Sequence, residues 1–298
     1  MITVNRVSSL RSAVSTARKE KKTISFVPTM GNLHAGHLEL VKVAKSRSDY
    51  VIVSIYVNPT QFGAHEDLSA YPNTPDEDAF ALAELDVDVL FLPEQEVMYP
   101  GEIATQTVVS VPQVSDLYCG EDRPQHFYGV TTVVSRLFNM VAPDIAVFGK
   151  KDYQQLAIIR RMVRDLAFPV QIVGVDTVRS ESGLALSSRN GYLSESELIQ
   201  ASKLNELLNE LAEKLKDAYS RETLNASWIK KAQSKVESQL RNLGFDPHYV
   251  QVCDQIELVA PTFSAKKLVQ HELVILAAAT LGKARLIDNV EVELKPQT

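Results

Sequence analysis

The sequence has 298 residues, of which 45% are hydrophobic and 23% are charged, as is typical of globular domains. The formal net charge is −6 and the 31 basic residues are dispersed, which argues against a nucleic-acid partner held mainly through its phosphates. Two distant cysteines, Cys119 and Cys253, form neither a disulfide framework nor a metal-ligand cluster, and no apolar run is long enough to cross a bilayer. We therefore expect a cytoplasmic protein with no membrane segment and no nucleic-acid partner.

The first 19 residues have the composition of a mitochondrial transit peptide, with Arg6, Arg11 and Arg18, several serines and no acidic residue. The alternative is a first helix from Val7 to Ala17 that leads into a strand. We favour the helix, because the next strand and its motif follow too closely for a removable presequence.

Apolar runs and helical periodicity alternate through the first part of the chain. The predicted strands are Ile24–Val27, Val51–Val57, Val87–Leu92, Ile145–Phe148 and Val170–Val175. The predicted helices include Pro75–Leu85, Val130–Val141 and Tyr153–Leu166. Short β-rich runs separated by helices of this length indicate a mostly parallel sheet that is covered on both faces.

The pattern changes after Ser188. Residues 194–243 are rich in Glu, Lys, Leu and Ala with helical periodicity, interrupted over 220–227. β-like runs follow at His248–Cys253, Leu273–Ala278 and Ala284–Val290. We predict an α/β domain over residues 1–177 and a smaller α+β domain over 178–298.

The segment Pro28–His37 places two histidines and two glycines between a predicted strand and a helix-like run, Leu38–Ala44. Backbone N–H groups at a helix start are unpaired and the helix dipole favours an anion there. Glycine lets a ligand approach the main chain, and imidazoles can donate to phosphate oxygens. This chemistry is that of a nucleoside triphosphate site, although histidines at a helix start can also be structural caps.

Polar clusters follow three other predicted strands, at Asn58–Phe62, Gly149–Gln155 and Ser187–Gly191. In open parallel sheets, ligands bind beyond the carboxyl ends of the strands. We therefore expect these clusters to converge with His34 and His37 at one edge of the sheet.

Each cluster also has a simpler interpretation. Asn58-Pro59 could be a turn, Lys150-Lys151 a solvated helix start, and Ser187-Ser188-Arg189 a capped loop. Cations are disfavoured at a helix N-terminus unless an anion is near, so a lysine after the fourth predicted strand favours a bound phosphate. Two hydroxyls beside a guanidinium would suit a leaving pyrophosphate.

Six segments, in order, resemble the signature of the pantoate–β-alanine ligase family. They are Pro28-Thr29-Met30-Gly31-x-Leu33-His34-x-Gly36-His37, Tyr56-Val57-Asn58-Pro59-x-Gln61-Phe62, Tyr71-Pro72-x-Thr74, Arg123-Pro124-x-His126-Phe127, Phe148-Gly149-x-Lys151-Asp152-Tyr153-Gln154-Gln155-Leu156 and Gly183-Leu184-Ala185-Leu186-Ser187-Ser188-Arg189-Asn190. The resemblance covers residues 24–193, and the last third resembles the family only in length and general character.

The resemblance implies a Rossmann-like nucleotidyltransferase domain followed by a small lid domain, in a homodimer. It also implies condensation of (R)-pantoate with β-alanine, driven by ATP with Mg²⁺, through a pantoyl adenylate. AMP and pyrophosphate are then the other products. Catalysis would rest on positioning and charge stabilisation, with no covalent enzyme nucleophile. Residues Tyr71–Asp78 and the C-terminal domain are expected to exclude water.

The resemblance also implies site residues. Those expected to stabilise the triphosphate during catalysis are His34, His37, Lys151, Ser188 and Arg189. The further ATP-binding candidates are Pro28, Thr29, Met30, Gly31, Gly36, Gly149, Asp152, Val178, Leu186 and Ser187, with Gly149 and Asp152 near the ribose. The substrate candidates are Met30, Asn58, Gln61, Phe62, Tyr71, Arg123, His126 and Gln155, and the metal candidates are Glu77 and Asp78.

Two positions depart from the family pattern. Lys150 stands where the family often has Glu, and we expect it to be tolerated because its side chain need not face the ligand. Glu77 stands where an aspartate associated with Mg²⁺ is common, which puts direct coordination by the longer side chain in doubt.

Two other functions remain open from the sequence. A nucleotidyltransferase that adds AMP or CMP to a phosphorylated precursor would share the His-x-Gly-His element, but would give Gln61 and Gln155 no role. An RNA-binding relative of the tRNA synthetases is disfavoured by the acidic charge balance and the lack of an aromatic–basic platform.

Overall fold

The computed structural model describes residues 1–63, 68, 71–264 and 267–295. The chain forms two compact units. The first unit comprises Met1–Lys150 and Ile158–Thr177, and the second comprises Lys151–Ala157 and Val178–Thr298. The division into domains 1–177 and 178–298 stays a prediction, and the short segment Lys151–Ala157 has its contacts in the second unit.

The first unit is built on a six-stranded sheet in which every pairing is parallel. Its strands are β1 (Ile2–Val4), β2 (Ile24–Thr29), β3 (Tyr50–Ile55), β4 (Val89–Phe91), β5 (Ile145–Gly149) and β6 (Gln171–Val175), in the order β1-β4-β3-β2-β5-β6. The predicted α/β class is confirmed. The carboxyl ends of β3, β2, β5 and β6 lie side by side, so the segments that follow them begin at one edge of the sheet.

Helices connect these strands. They are α1 (Val7–Lys19), α2 (Ala35–Arg47), α3 (Pro75–Glu84), α4 (Gln95–Met98), α5 (Cys119–Asp122), α6 (His126–Val141) and α7 (Tyr153–Asp165). The helix predicted at Val7–Ala17 is confirmed. Strand β1 was missed because three residues are too few to show a periodicity. It forms through pairing with β4, where Ile2 lies opposite Val89.

The core of the first unit explains why these runs became strands. Val27, Val53, Leu90 and Val147, one from each of four neighbouring strands, are fully buried. Helix α2 packs on this sheet through residues that include Val41. Strands buried on both faces read as continuous apolar runs, which is the pattern in the sequence.

The second unit contains two helices, α8 (Glu195–Ser220) and α9 (Ala226–Asn242), and an antiparallel sheet. The sheet has the order β11-β10-β7, with β7 (Asp246–Asp254), β10 (Glu272–Leu281) and β11 (Ala284–Glu293). A short hairpin is formed by β8 (Phe263–Ser264) and β9 (Lys267–Leu268). All three predicted β-like runs are strands, so the smaller α+β unit is confirmed. Among the described residues, no helix has the length and apolar composition of a membrane span.

Candidate active site

The histidine loop runs from the end of β2 to the start of α2, and both histidines cap the helix. The Gly36 N–H donates to His34 Nδ1 at 3.1 Å, and the His34 N–H donates to His37 Nδ1 at 3.4 Å. Because both Nδ1 atoms accept from the backbone, each neutral ring carries its proton on Nε2. The ring centroids lie 4.1 Å apart. The histidines can therefore cap the helix and also bind an anion, because the cap uses Nδ1 and the anion would accept from Nε2–H.

Asp78, at the first turn of α3, holds the segment that leads into the histidines. Its carboxylate accepts the Asn32 N–H and the Leu33 N–H, both at 2.8 Å, and the Thr74 hydroxyl at 3.2 Å. Gly31 and Asn32 have φ values of +83° and +51°, in the left-handed region that costs energy for a residue with a side chain. Two charge-assisted hydrogen bonds stabilise this conformation. Asp78 therefore fixes the path of the histidine loop.

The metal candidates do not form a metal site of their own. Asp78 is buried and its oxygens already accept three hydrogen bonds, whereas Glu77 is exposed. Within the described part of the chain, no group of three or more His, Cys, Asp or Glu side chains could hold a metal ion. Asp78 does not fit a direct ligand of Mg²⁺.

We expect Asp78→Asn to destabilise the protein by about 1–3 kcal/mol, because an amide NH₂ would face a backbone N–H that needs an acceptor. The loss should appear in urea unfolding without substrate or metal. The Mg²⁺ concentration for half-maximal turnover should be unchanged. A variant of normal stability that needs much more Mg²⁺ would instead make Asp78 a metal ligand.

A second polar cluster follows β3, and Asn58 is its centre. Asn58 Nδ2 donates to Gln61 Oε1 and to the Gly129 carbonyl, both at 3.1 Å. Its Oδ1 accepts the Tyr99 hydroxyl at 2.9 Å and the Thr60 hydroxyl at 3.0 Å. Burial raises the pKa of Tyr99, which keeps this hydroxyl a donor above its ordinary range. Asn58 was predicted to contact substrate, which stays a prediction, and in the structure its amide connects Gln61 with Gly129, Thr60 and Tyr99.

Gln61 is oriented by these bonds. Since its Oε1 accepts from Asn58, its Nε2 is the remaining polar end of the amide, and that atom lies 3.0 Å from Met30 Sδ. A thioether is a weak acceptor, so a substrate oxygen would be a better partner for this N–H. The structure thus brings together Met30 and Gln61, which the sequence placed after β2 and β3.

Arg123 and His126 also act on Gln61. His126 Nδ1 donates to the Gln61 carbonyl at 2.7 Å, and Arg123 donates to the same oxygen at 3.4 Å. Because Nδ1 carries the proton, His126 Nε2 is an acceptor, and Arg123 Nη1 lies 3.2 Å from it. Both residues were predicted to contact substrate, and the contacts in the structure give them a part in shaping the Gln61 turn. Beside that turn, the rings of Phe62 and Tyr71 meet edge to face, with centroids 5.8 Å apart.

The lysine pair after β5 divides between the two units. Lys150 pairs with Asp176 in the first unit, with its Nζ 2.8 Å from Oδ1. Lys151 belongs to the second unit, where its Nζ lies 3.5 Å from Asp152 Oδ2. A 3-10 turn, Lys150–Asp152, connects β5 with α7, and Gln155 lies half-buried in the first turn of that helix.

In the second unit, a small hairpin carries the Ser-Ser-Arg segment. The Leu186 N–H donates to the Val178 carbonyl at 3.0 Å, and Arg179 pairs with Ala185. The hairpin ends in the 3-10 turn Ser188–Tyr192, where Ser187 Oγ accepts the Arg189 N–H at 3.2 Å. Ser187 is thus a cap, as its simpler interpretation predicted. Convergence of this turn with the histidine loop stays a prediction.

Sequence reasoning missed three residues that shape the site. Tyr99 holds Asn58, and Gly129 packs against the turn Pro59–Gln61 so closely that a Cβ would lie 2.6 Å from the Gln61 nitrogen. Asn289 of β11 donates to the Lys151 carbonyl. Each of these residues contacts a segment that is distant in the sequence, so no local sequence pattern predicted its role.

Comparison with known proteins identifies the family. A sequence model described as pantoate–β-alanine ligase matches residues 2–291. A pantothenate synthetase of Stutzerimonas stutzeri is 52% identical over 295 residues, which are 99% of each chain. The crystal structure of pantothenate synthetase from Thermus thermophilus has a TM-score of 0.84 at 41% identity and covers 98% of this chain and 100% of its own.

A pantoate–β-alanine ligase from Francisella tularensis, whose crystal structure is described as complexed with beta-gamma ATP and beta-alanine, has a TM-score of 0.78 at 33% identity over 97% of both chains. The family signature and the full-length matches agree with each other and with the α/β sheet and the antiparallel C-terminal unit. This chain belongs to the pantoate–β-alanine ligase family.

Proposed function

We propose that this chain condenses (R)-pantoate with β-alanine at the expense of ATP, through a pantoyl adenylate, and releases AMP and pyrophosphate. As a member of this family, the chain is an enzyme of the ligase class. The observation that carries the residue assignment is the capped histidine loop, in which both Nε2–H groups are donors at the N-terminus of α2. The Francisella relative described with beta-gamma ATP and beta-alanine supports those two substrates.

The chemistry needs two steps. The pantoate carboxylate attacks the α-phosphorus of ATP, and pyrophosphate departs with the bonding electron pair. The β-alanine amine then attacks the acyl carbon, and AMP leaves as the new C–N bond forms. Neither step needs an enzyme nucleophile, so catalysis rests on positioning and on stabilising the charge that develops on phosphate oxygens.

The charge-stabilising roles follow from the donors available. His34 and His37 would donate from Nε2 to phosphate oxygens, with the α2 dipole aligned to favour the same anion. Lys151 and Arg189 would supply positive charge, and Ser188 a hydroxyl donor. Glycines 31, 36 and 149 would let the nucleotide approach the main chain, with Asp152 on the ribose. Mg²⁺ would neutralise the triphosphate charge, held by its oxygens and water.

Pantoate presents a carboxylate, two hydroxyls and a gem-dimethyl group. Gln61 Nε2, oriented by the Asn58 bond to Oε1, would donate to one of the oxygens, and Gln155 would bind another. Met30 and Phe62 would pack on the methyl groups. Asn58, Arg123 and His126 serve this site by fixing Gln61.

We expect Gln61→Ala to raise the KM for pantoate by about 10-fold to 10²-fold, because a buried substrate oxygen would lose its donor. The KM for ATP should stay within about twofold. Initial rates with each substrate varied in turn measure both constants. A change confined to the ATP constant would show that Gln61 is not a pantoate residue.

Three further assignments belong to this proposal: Mg²⁺ dependence, a homodimer and a cytoplasmic location. Analytical ultracentrifugation of the purified chain tests the dimer directly. Activity with and without Mg²⁺ tests the ion.

The proposed function itself is tested by omission. AMP formation is measured with ATP and Mg²⁺ while pantoate and β-alanine are each withheld. AMP should accumulate catalytically only when both are present, together with one equivalent of pantothenate. Equal AMP formation without pantoate would overturn the assignment.

A further inference from the structure

The second unit contains a set of contacts that ties the proposed phosphate lysine to its C-terminal sheet. The Asn289 Nδ2 donates to the Lys151 carbonyl at 3.0 Å, across 138 positions of sequence. Asn289 is buried, with 7% of its surface exposed. This bond fixes the backbone of Lys151, whereas the Lys151 side chain meets Asp152.

A second contact lies on the same face of β11. Tyr153, two residues after Lys151, donates its hydroxyl to Glu291 Oε1 at 3.1 Å. Side chains two positions apart on a strand lie on the same face of the sheet. Asn289 and Glu291 therefore hold the same short segment at two residues, Lys151 and Tyr153. These bonds give a physical reason why Lys151–Ala157 has its contacts in the second unit.

The neighbour of Asn289 connects the same strand to the hairpin that carries the Ser-Ser-Arg segment. Asp288, with 4% of its surface exposed, accepts Arg179 Nη1 at 2.7 Å and Nη2 at 2.8 Å, a bidentate pair. Arg179 also donates to the Gly183 carbonyl at 3.1 Å. Asp288 Oδ1 accepts the Asn289 N–H at 2.7 Å, which makes the two residues one network.

We propose that Asn289 is a positioning residue for the adenylation step and acts through Lys151. The inference rests on the proposed contact of Lys151 with ATP phosphates. Lys151 lies between the end of β5 and the start of α7. A hydrogen bond to its carbonyl restrains the peptide plane beside its Cα, and this limits where the side chain begins. Asn289 supplies that anchor, and β11 thereby contributes to the geometry of a residue 138 positions earlier.

The expected effect follows from the precision that charge stabilisation requires. Misplacement of a catalytic group by about 1 Å can cost on the order of 10²-fold in rate. Asn289→Ala should therefore lower the rate of pantoate-dependent pyrophosphate exchange by about 10-fold to 10²-fold. The KM for pantoate should change by less than about threefold, because Gln61 is held by other residues and the Tyr153–Glu291 bond still holds the segment that carries Gln155.

A matched control exists in the same unit. Gln255, the residue after β7, donates from Nε2 to the Leu273 carbonyl of β10 at 3.0 Å, which is the same type of side-chain amide to backbone bond. Gln255→Ala should shift the thermal midpoint about as much as Asn289→Ala does but leave the exchange rate within about twofold. If Asn289→Ala does not fold, Asn289→Leu removes the donor while keeping a similar side-chain shape and adding no charge.

The deciding test is a double-mutant cycle of Asn289→Ala with Lys151→Ala, read by pyrophosphate exchange. The wild-type rate tests the proposed function, and the Lys151→Ala rate tests the role of Lys151, each independently of Asn289. If Asn289 acts through Lys151, its substitution should have less than about a twofold effect once Lys151 is absent. An equal loss in both backgrounds, or no loss in the native one, would overturn the proposal.

Discussion

Lys151→Ala should lower the rate of pantoyl adenylate formation by about 10²–10³-fold, which corresponds to about 3–4 kcal/mol of transition-state stabilisation. Negative charge develops on the departing pyrophosphate, and a preorganised cation stabilises it. An ammonium at the start of a helix is disfavoured by the helix dipole unless an anion binds beside it. The measurement is ATP–pyrophosphate exchange with pantoate alone, alongside thermal unfolding. The fold should be intact, because the Lys151 Nζ pairs with the partly exposed Asp152 at 3.5 Å.

The adjacent lysine is the matched control. Lys150 Nζ pairs with Asp176 at 2.8 Å, so its charge is already neutralised within the first unit. Lys150→Ala should change the exchange rate by less than about threefold, since its partner Asp176 is 90% exposed and a pair with a solvated carboxylate contributes about 0–1 kcal/mol. Near-normal exchange by a folded Lys151→Ala enzyme, or an equal loss in both variants, would remove Lys151 from the mechanism.

Gly129→Ala should impair both stability and pantoate binding. A Cβ on Gly129 would overlap the Thr60 carbonyl oxygen and lie 2.6 Å from the Gln61 nitrogen, and both are backbone atoms that cannot rotate away. Helix α6 and the turn Pro59–Gln61 must then move apart, at a cost of about 1–3 kcal/mol. Because Asn58 donates to the Gly129 carbonyl, the same shift should misplace Gln61.

The readouts for Gly129→Ala are urea unfolding and the KM for pantoate, which should rise by about 10-fold or more. Gly191→Ala is the stability control, because a Cβ at Gly191 meets nothing within 4 Å and its backbone is not left-handed. An unfolding free energy equal to that of the wild type would mean that α6 and the turn are not held together as described.

The sequence was informative where structure is determined locally. The run Ile24–Val27 and the histidine motif after it predicted β2, the loop and α2. Apolar strands and helix caps are recognisable because the residues that form them are close together in the sequence. The C-terminal strands were found for the same reason. Their ends were misjudged by up to three residues, since pairing with neighbours extends a strand beyond its apolar run.

Long-range partners could not be read from the sequence. The family resemblance implied that Asp78 lies at a metal site. Its partners, Asn32 and Leu33, lie more than 40 positions away and offer only backbone N–H groups, which no side-chain pattern reveals. Substrate contacts of Asn58, Arg123 and His126 were implied by the resemblance and stay predictions. The sequence did not show that each of them also donates a hydrogen bond to Gln61.

The proposed roles of the histidine loop, Lys151 and Gln61 all depend on activation of pantoate by adenylation. The most direct test is the exchange of labelled pyrophosphate into ATP by the purified chain with Mg²⁺ and pantoate, without β-alanine. Exchange should require pantoate and should precede any net AMP formation, which begins only when β-alanine is added. If the chain still forms pantothenate but shows no pantoate-dependent exchange, the adenylate is not formed reversibly before β-alanine binds. That result would contradict the two-step mechanism.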